Sequence, residues 1–198
     1  MIYFPDNINL EDERALLRPL QTEDLSVLVP FAIHQTDIWS YSSTVPAGEK
    51  GMQEYIDGTI KQRVQQREYP FIVWDKVSCT YAGSTRFYDI QLVNQTTQLG
   101  YTWYGKQFQR TGLNRHCKFL LLSYAFETWG MERVEFRTHA KNDRSINAMQ
   151  AIGCTVEGIL RSTTPNGDGA RRDTIVLSIL KKEWEDGVRE QLLKKMHG

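Results

Sequence analysis

One short segment has the residue types and the position needed to bind an anion. Residues 109–114 (QRTGLN) follow an apolar, aromatic stretch predicted as a strand and precede an amphipathic helix predicted over residues 113–128. The first turn of a helix has N–H groups without internal partners, and a glycine leaves them uncovered. These donors and the positive end of the helix dipole favour a phosphate. The segment predicts a pyrophosphate-binding loop; the alternative is an ordinary strand–loop–helix connection.

Other kinds of chemistry have weaker support in the sequence. The segment lacks the Gly-Lys-Ser/Thr of a Walker loop and the three spaced glycines of a dinucleotide fingerprint. A metal site and a cysteine nucleophile are not predicted, because the histidines are scattered and the cysteines lack ligand spacing or an adjacent base. The residues concerned are His34, His116, His139, His197, Cys79, Cys117 and Cys154. His116 is expected at the surface.

Length and composition limit the class of protein. The chain has 198 residues, 24 basic and 24 acidic side chains, and 40% hydrophobic residues, which predicts one folded domain. Balanced charge argues against a nucleic-acid partner. No apolar run reaches membrane-spanning length, and residues 1–6 do not resemble a signal peptide. Three cysteines without paired spacing indicate buried or half-buried thiols in a reducing compartment, so a cytoplasmic location is expected.

The elements that would position the loop follow from hydrophobic periodicity and turn residues. A helix with Leu25, Leu28 and Val29 on one stripe and a surface helix over residues 48–68 come early in the chain. A short helix capped by Asp143 or Asn142 is predicted, and a polar helix is expected over residues 183–195. A hairpin turn is predicted at residues 165–169. Seven strands are predicted, at residues 15–20, 70–74, 81–90, 98–104, 134–138, 155–163 and 171–180.

This order of elements, together with several local motifs, resembles the GNAT acyltransferases. Residues 109–114 resemble the family's acetyl-CoA motif, Gln/Arg-x-x-Gly-x-Gly/Ala. Residues 17–20, 124–127, 133–135, 142–145 and 153–161 resemble the RimJ/RimL-type branch, in the right order and spacing. Two positions depart from the pattern: Asn114 replaces a small residue, and Arg110 stands where glycine is common.

The resemblance implies a fold and a set of site residues. The fold is mixed α and β, with a central, mostly antiparallel, seven-stranded twisted sheet flanked by helices. A single domain over residues 1–198, with its core at about 14–184, is implied. In this family the strand at residues 101–104 splays from its neighbour and exposes backbone N–H groups. Acetyl-CoA would be bound by Thr102, Trp103, Tyr104, Gln109, Arg110, Thr111, Gly112, Leu113, Asn114, Asn142 and Ser145.

The resemblance also implies catalytic roles, each with a structural alternative. Glu157 would accept the amine's proton, directly or through water; alternatively it pairs with Arg161 or Arg137. Ser145 would assist the departing thiolate or serve only in a helix turn. Asn142 would contact the pantetheine arm, cap a helix, or do both. His139 and Glu135 are the other candidates for the base.

The expected function is therefore N-acetyl transfer from acetyl-CoA, without a metal, by direct attack of an amine in a ternary complex. The acceptor is a protein N-terminus or a small-molecule amine. The alternative is a non-catalytic acyl-CoA-binding sensor or interaction module. A homodimer is compatible with the sequence, and a membrane partner is not expected.

Overall fold

The central element of the fold is a sheet of eight strands in the order β1-β2-β3-β4-β5-β6-β8-β7. The structure is a computed structural model that describes residues 5–42, 44–165 and 171–197. The strands are β1 (Leu10–Glu11), β2 (Ala15–Pro19), β3 (Tyr69–Asp75), β4 (Thr80–Gln91), β5 (Thr96–Tyr104), β6 (Arg133–His139), β7 (Thr155–Pro165) and β8 (Arg171–Leu180). All seven predicted strands are present. The predicted turn between β7 and β8 falls mostly on residues 166–170, outside the described residues.

The predicted count of seven strands is wrong by one. The additional strand, β1, has two residues that pair with Leu16 and Leu17 of β2. Such a short edge strand has no periodicity to detect, because its pairing depends on a neighbouring strand rather than on its own pattern. The mixed α and β class and the mostly antiparallel sheet are confirmed; β5 and β6 are the parallel pair.

Helices cover both faces of the sheet. They are α1 (Leu25–His34), α2 (Gly48–Val64), α3 (Leu113–Ser123), α4 (Asp143–Ala151), α5 (Lys181–Glu183) and α6 (Arg189–His197). A π-helical turn at Tyr124–Thr128 extends α3, and another at Trp184–Val188 joins α5 to α6. Within the described residues, no helix is long and apolar enough to span a membrane.

The core forms because apolar residues of the strands meet apolar stripes of the helices. Phe71, Ile72 and Val73 of β3 are all fully buried, as expected for a central strand covered on both faces. On one face, Trp103 of β5 packs edge-on against Phe31 of α1 and against Trp39. α3 and α4 pack on the opposite face. This packing holds the two faces of β5 in different environments, one aromatic and one facing α3.

Candidate active site

The sheet opens between its two parallel strands. β5 and β6 pair only at residues 96–98 and 133–135, and beyond Gln98 and Glu135 they have no further paired residues. We call this opening the strand gap. It is bordered by residues 99–104 of β5 and residues 136–139 of β6. A parallel pair normally satisfies backbone groups on both strands. The opening therefore leaves backbone N–H and C=O groups of both strands available to a ligand.

A bulge in β5 lies on the edge of the strand gap. The register between β4 and β5 shifts between Ser84 and Arg86, which face Trp103 and Gly100, so β5 carries one additional residue. Within the bulge, Tyr101 has a φ of 49°, in the left-handed region. Bulges interrupt the ladder and redirect backbone groups, and they are common beside active sites. This bulge therefore interrupts the regular ladder of β5 beside the opening.

The predicted anion-binding loop lies where β5 leads into α3. Gly112 is the N-cap of α3, with φ 91° and ψ −23°. A Cβ at this position would meet no atom within 4 Å, so the backbone conformation rather than crowding requires glycine. Among the described residues, the N–H groups of Arg110 and Gly112 have no acceptor. The loop thus has free donors at the positive end of a helix and fits a phosphate group.

The backbone conformation at Arg110 shows why glycine is common at this position in the family. Its φ is 62°, a conformation that glycine adopts without strain and that costs other residues about 1–2 kcal/mol. Glycine is therefore favoured there by the backbone alone, and arginine retains the conformation at that cost. The Arg110 side chain is exposed, as is that of Thr111, whereas Leu113 is buried and Asn114 is half-buried.

Gln109 holds the loop in place through its side chain. Its Nε2 donates to the carbonyl of Tyr104 at 3.0 Å, and its Oε1 accepts from Nη1 of Arg144 at 3.0 Å. Arg144 lies in the first turn of α4, so this contact links the two sides of the strand gap. Arg144 was not predicted as a site residue from the sequence. The signal was present: a cation in a first helical turn opposes the helix dipole, which is unfavourable unless an anion is nearby.

The structure confirms that Asn142 caps α4. Its Oδ1 accepts from the N–H of Ser145 at 3.2 Å, and its Nδ2 donates to the Thr138 hydroxyl at 3.1 Å. The side chain is buried and hydrogen-bonds on both sides of its amide. Ser145 is half-buried in the first turn of α4, and its hydroxyl has no partner among the described residues. A contact of either side chain with pantetheine stays a prediction.

Replacing Asn142 with alanine should destabilise the protein by about 1 kcal/mol, the usual loss for a helix cap. For a chain of this size that corresponds to a fall in Tm of about 2–4 °C. Asn142→Asp is the matched variant, because its carboxylate can still accept from Ser145, and it should recover most of the loss. Thermal unfolding measures both effects. Equal Tm values for Asn142→Ala and the parent protein would contradict the capping role.

Glu157 lies in a charged cluster on the face of the sheet away from α3. Arg133 donates to both carboxylate oxygens, one of them at 2.7 Å, and the Ser178 hydroxyl donates to Oε1 at 2.6 Å. Arg133 also pairs with Glu135 at 2.8 Å. The partner is thus Arg133, and the expected pairing with Arg161 or Arg137 is wrong. Arg133 lowers the pKa of Glu157, although burial opposes the shift.

The histidines and cysteines differ in part from the sequence expectation. His116 is buried rather than exposed: its Nδ1 lies 2.8 Å from Asp12 and 3.8 Å from Glu13. His197 also lies 3.9 Å from Glu13, so two histidines are not scattered. Cys117 and Cys154 are buried as expected, but Cys79 is exposed. The hydrogen bond with Asp12 gives the buried His116 ring a polar partner, and the absence of a metal stays a prediction.

The side chains of β5 alternate between the two faces. Trp103 is buried in the aromatic core, whereas Thr102 faces α3, where its hydroxyl accepts from Nζ of Lys118 at 2.9 Å. The Tyr104 side chain is also buried. Lys118 was missed in the sequence, although Leu121 and Leu122, three and four residues later, place it within an apolar stripe. Any role of residues 102–104 in binding a ligand belongs to the main chain or to Thr102.

The fold and the opened parallel strand pair define an acyltransferase architecture, and comparison with known proteins identifies the family. The model of the family described as Acetyltransferase (GNAT) domain matches residues 14–155. The chain belongs to this family. The predicted family, its fold and an acyltransferase activity are thereby confirmed.

Individual relatives refine the assignment. The chain is 26% identical over 174 residues to the Bacillus subtilis protein named "Putative ribosomal N-acetyltransferase YdaF", covering 86% of this chain and 91% of that protein. A GCN5-related N-acetyltransferase from Brucella melitensis has a TM-score of 0.88 at 24% identity, covering 97% and 86% of the two chains. Mycobacterium smegmatis RimJ, solved with CoA-disulfide, has a TM-score of 0.78 at 17% identity, covering 96% and 93%. The similarity to the B. subtilis protein supports the RimJ/RimL-type branch, and the two structural similarities show the shared fold.

Proposed function

We propose that the protein transfers an acetyl group from acetyl-CoA to an amine, by direct attack in a ternary complex. The observation that carries the proposal is the strand gap, with free loop N–H groups at its open end. Acetyl-CoA supplies an acetyl thioester, whose carbonyl is open to attack by an amine. The acceptor is a protein N-terminus, as the ribosomal name of the B. subtilis relative suggests for that protein, or a small-molecule amine.

The loop and the first turn of α3 would bind the pyrophosphate. The N–H groups of residues 110–114 supply donors, and Arg110 supplies a charge-assisted donor from an exposed side chain. Gln109 fixes the loop rather than binding the phosphate, since both ends of its amide are already engaged. Arg144, on the opposite side of the strand gap, adds a second positive charge.

The exposed backbone of β5 and the first turn of α4 would hold the remainder of the donor. Backbone groups of residues 102–104, next to the bulge, donate to the pantetheine arm and polarise the thioester carbonyl. Asn142 positions α4 by capping it and lies beside the arm. The free hydroxyl of Ser145 is available to the sulfur.

Glu157 would receive the amine's proton through a water molecule. Because its pKa is lowered by Arg133, the carboxylate is ionised throughout the neutral range. A carboxylate of low pKa binds a proton weakly, so the proton passes on to solvent. His139 and Glu135 remain the alternatives. His139 packs edge-on against Tyr41 at 5.7 Å, at the edge of the strand gap where an acceptor would enter.

Release of free thiol from acetyl-CoA with a panel of amines tests the proposal. We expect thiol release that depends on a peptide with a free N-terminus or on one of the small amines. An N-acetylated peptide of the same sequence is the control and should give no release. Calorimetric binding of acetyl-CoA without thiol release from any amine would contradict the enzymatic proposal and support an acyl-CoA-binding sensor.

We further propose that residues 1–198 form one domain with its core at about 14–184, and a homodimer is compatible with the chain. The free thiols support a cytoplasmic location, since disulfides are rare in that compartment.

A further inference from the structure

A buried ammonium group lies within the strand gap. Lys118 extends from α3, and its Nζ reaches both borders of the opening: the Thr102 hydroxyl of β5 at 2.9 Å and the Phe136 ring of β6, whose centroid is 5.8 Å away. The residue is only 5% exposed. Both contacts lie beyond the last paired residues, Gln98 and Glu135, so Lys118 bridges the strands where the sheet has opened.

This ammonium group has no anionic partner among the described residues. Its hydrogen-bond acceptor is the neutral hydroxyl of Thr102, which in turn lies 2.7 Å from the Thr85 hydroxyl. The titratable groups that face it are the thiols of Cys117, on α3, and Cys154, next to β7. Burial raises the pKa of both thiols to about 12, so both are neutral. A buried charge is costly unless it is paired, which indicates a partner that arrives with a ligand.

The proposed donor offers a specific partner at this place. Lys118 follows Gly112 by six residues, about 9 Å along the helix axis at 1.5 Å per residue. The phosphates of CoA would be bound at Gly112, and the amides of the pantetheine arm are neutral. The sulfur at the end of the arm is the group that becomes negatively charged when the acetyl group leaves.

We propose that Lys118 makes the strand gap a binding site for the CoA thiolate, an inference that rests on the proposed acetyl transfer. When the amine nitrogen bonds to the thioester carbon, the carbon–sulfur bond breaks and its electron pair stays on the sulfur. Lys118 provides the opposing charge, and no proton has to be transferred to the sulfur. The amine's own proton leaves separately, toward Glu157 and solvent.

Burial also sets the pH range of the interaction. It lowers the pKa of Lys118 to about 8, so the side chain is mostly charged at neutral pH and loses its charge above that value. A free thiol ionises near pH 8.5. Pairing with Lys118 should lower the pKa of the bound CoA thiol, so that it is ionised at a pH where free CoA is protonated.

The test compares binding of CoA and acetyl-CoA to the parent protein, to Lys118→Met and to the control Lys61→Met, on the exposed side of α2. We expect Lys118→Met to weaken CoA binding by about tenfold or more, the range for a hydrogen bond to a charged group. Binding of acetyl-CoA, which has no ionisable sulfur, should change little. Ultraviolet thiolate absorbance of bound CoA at neutral pH should be present in the parent and Lys61→Met proteins and absent from Lys118→Met.

Four results would overturn the inference. If the parent, Lys118→Met and Lys61→Met proteins bind CoA equally and none shows thiolate absorbance, Lys118 does not bind the thiolate, although the proposed function stands. Tighter binding of succinyl-CoA than acetyl-CoA, lost in Lys118→Met, assigns the ammonium to a carboxylate on the acyl chain instead. Failure of the parent protein to bind either CoA or acetyl-CoA removes the proposed function as well. If Lys118→Met does not fold, the test is a pH titration of the thiolate absorbance of CoA bound to the parent protein. A thiol pKa equal to that of free CoA then overturns the inference.

Discussion

Replacing Gly112 with aspartate is expected to weaken acetyl-CoA binding by about 10³-fold while leaving the fold intact. The variant places a carboxylate at the entry of α3, where the loop would hold the pyrophosphate. Two like charges 4 Å apart repel by about 4 kcal/mol at an effective dielectric constant of 20. A Cβ at Gly112 meets no atom within 4 Å, so the side chain itself fits. Isothermal titration calorimetry measures the loss.

The matched control is Gly112→Asn, which has the same shape without the charge. Both variants hold the φ of 91° with some strain, although Asn and Asp tolerate the left-handed region better than other residues do. Their Tm values should therefore fall by similar amounts, and only Gly112→Asp should lose most of its affinity. Unchanged affinity in Gly112→Asp would show that the phosphate is bound elsewhere.

Replacing Glu157 with glutamine should reduce kcat/KM by about 10²-fold, within the range for loss of a general base. Glutamine keeps the shape and can still accept from Arg133 and Ser178, but it cannot take up a proton. Acetyl-CoA affinity should be unchanged, because Glu157 lies on the face of the sheet away from α3. Glu132→Gln, an exposed carboxylate that pairs with Lys181, is the control. Turnover near the parent rate would make Glu157 an ion-pair partner only, and Glu135 or His139 would be examined next.

The pH profile of the parent protein gives a second test of Glu157. Its pKa is lowered by Arg133, so the carboxylate titrates in the acid range and does not change charge between about pH 6 and pH 9. A rising limb of kcat/KM in that interval should therefore follow the pKa of the amine and move when the amine is changed. If the rising limb has its midpoint at the same pH for amines of different pKa, the ionisation belongs to a group on the enzyme.

The sequence by itself determined the parts of the site that depend on neighbouring residues. Gly112 predicted a helix entry, which the structure shows as a left-handed N-cap. Asn142 or Asp143 was expected to cap a short helix, and the structure shows that Asn142 does so. Periodicity placed all seven longer strands and the helices. The order of these elements, together with the local motifs, indicated the family, which the match over residues 14–155 confirmed.

Only the tertiary structure decided which distant side chains meet. Glu157 pairs with Arg133, 24 residues away, because β7 shifts its register against β8 between Val156 and Gly158. His116 is buried because the turn before β2 brings Asp12 against α3.

Local sequence patterns likewise could not predict the position of Lys118. A lysine within an apolar stripe indicates an unusual environment but not its location. That location depends on the separation of β5 from β6 after three residue pairs, which is a property of the whole sheet. Helix caps and periodicity act over a few residues, whereas ion pairs and openings depend on how strands are aligned and packed. The sequence therefore determined the elements and the loop, and the packing of the sheet decided which charges face the strand gap.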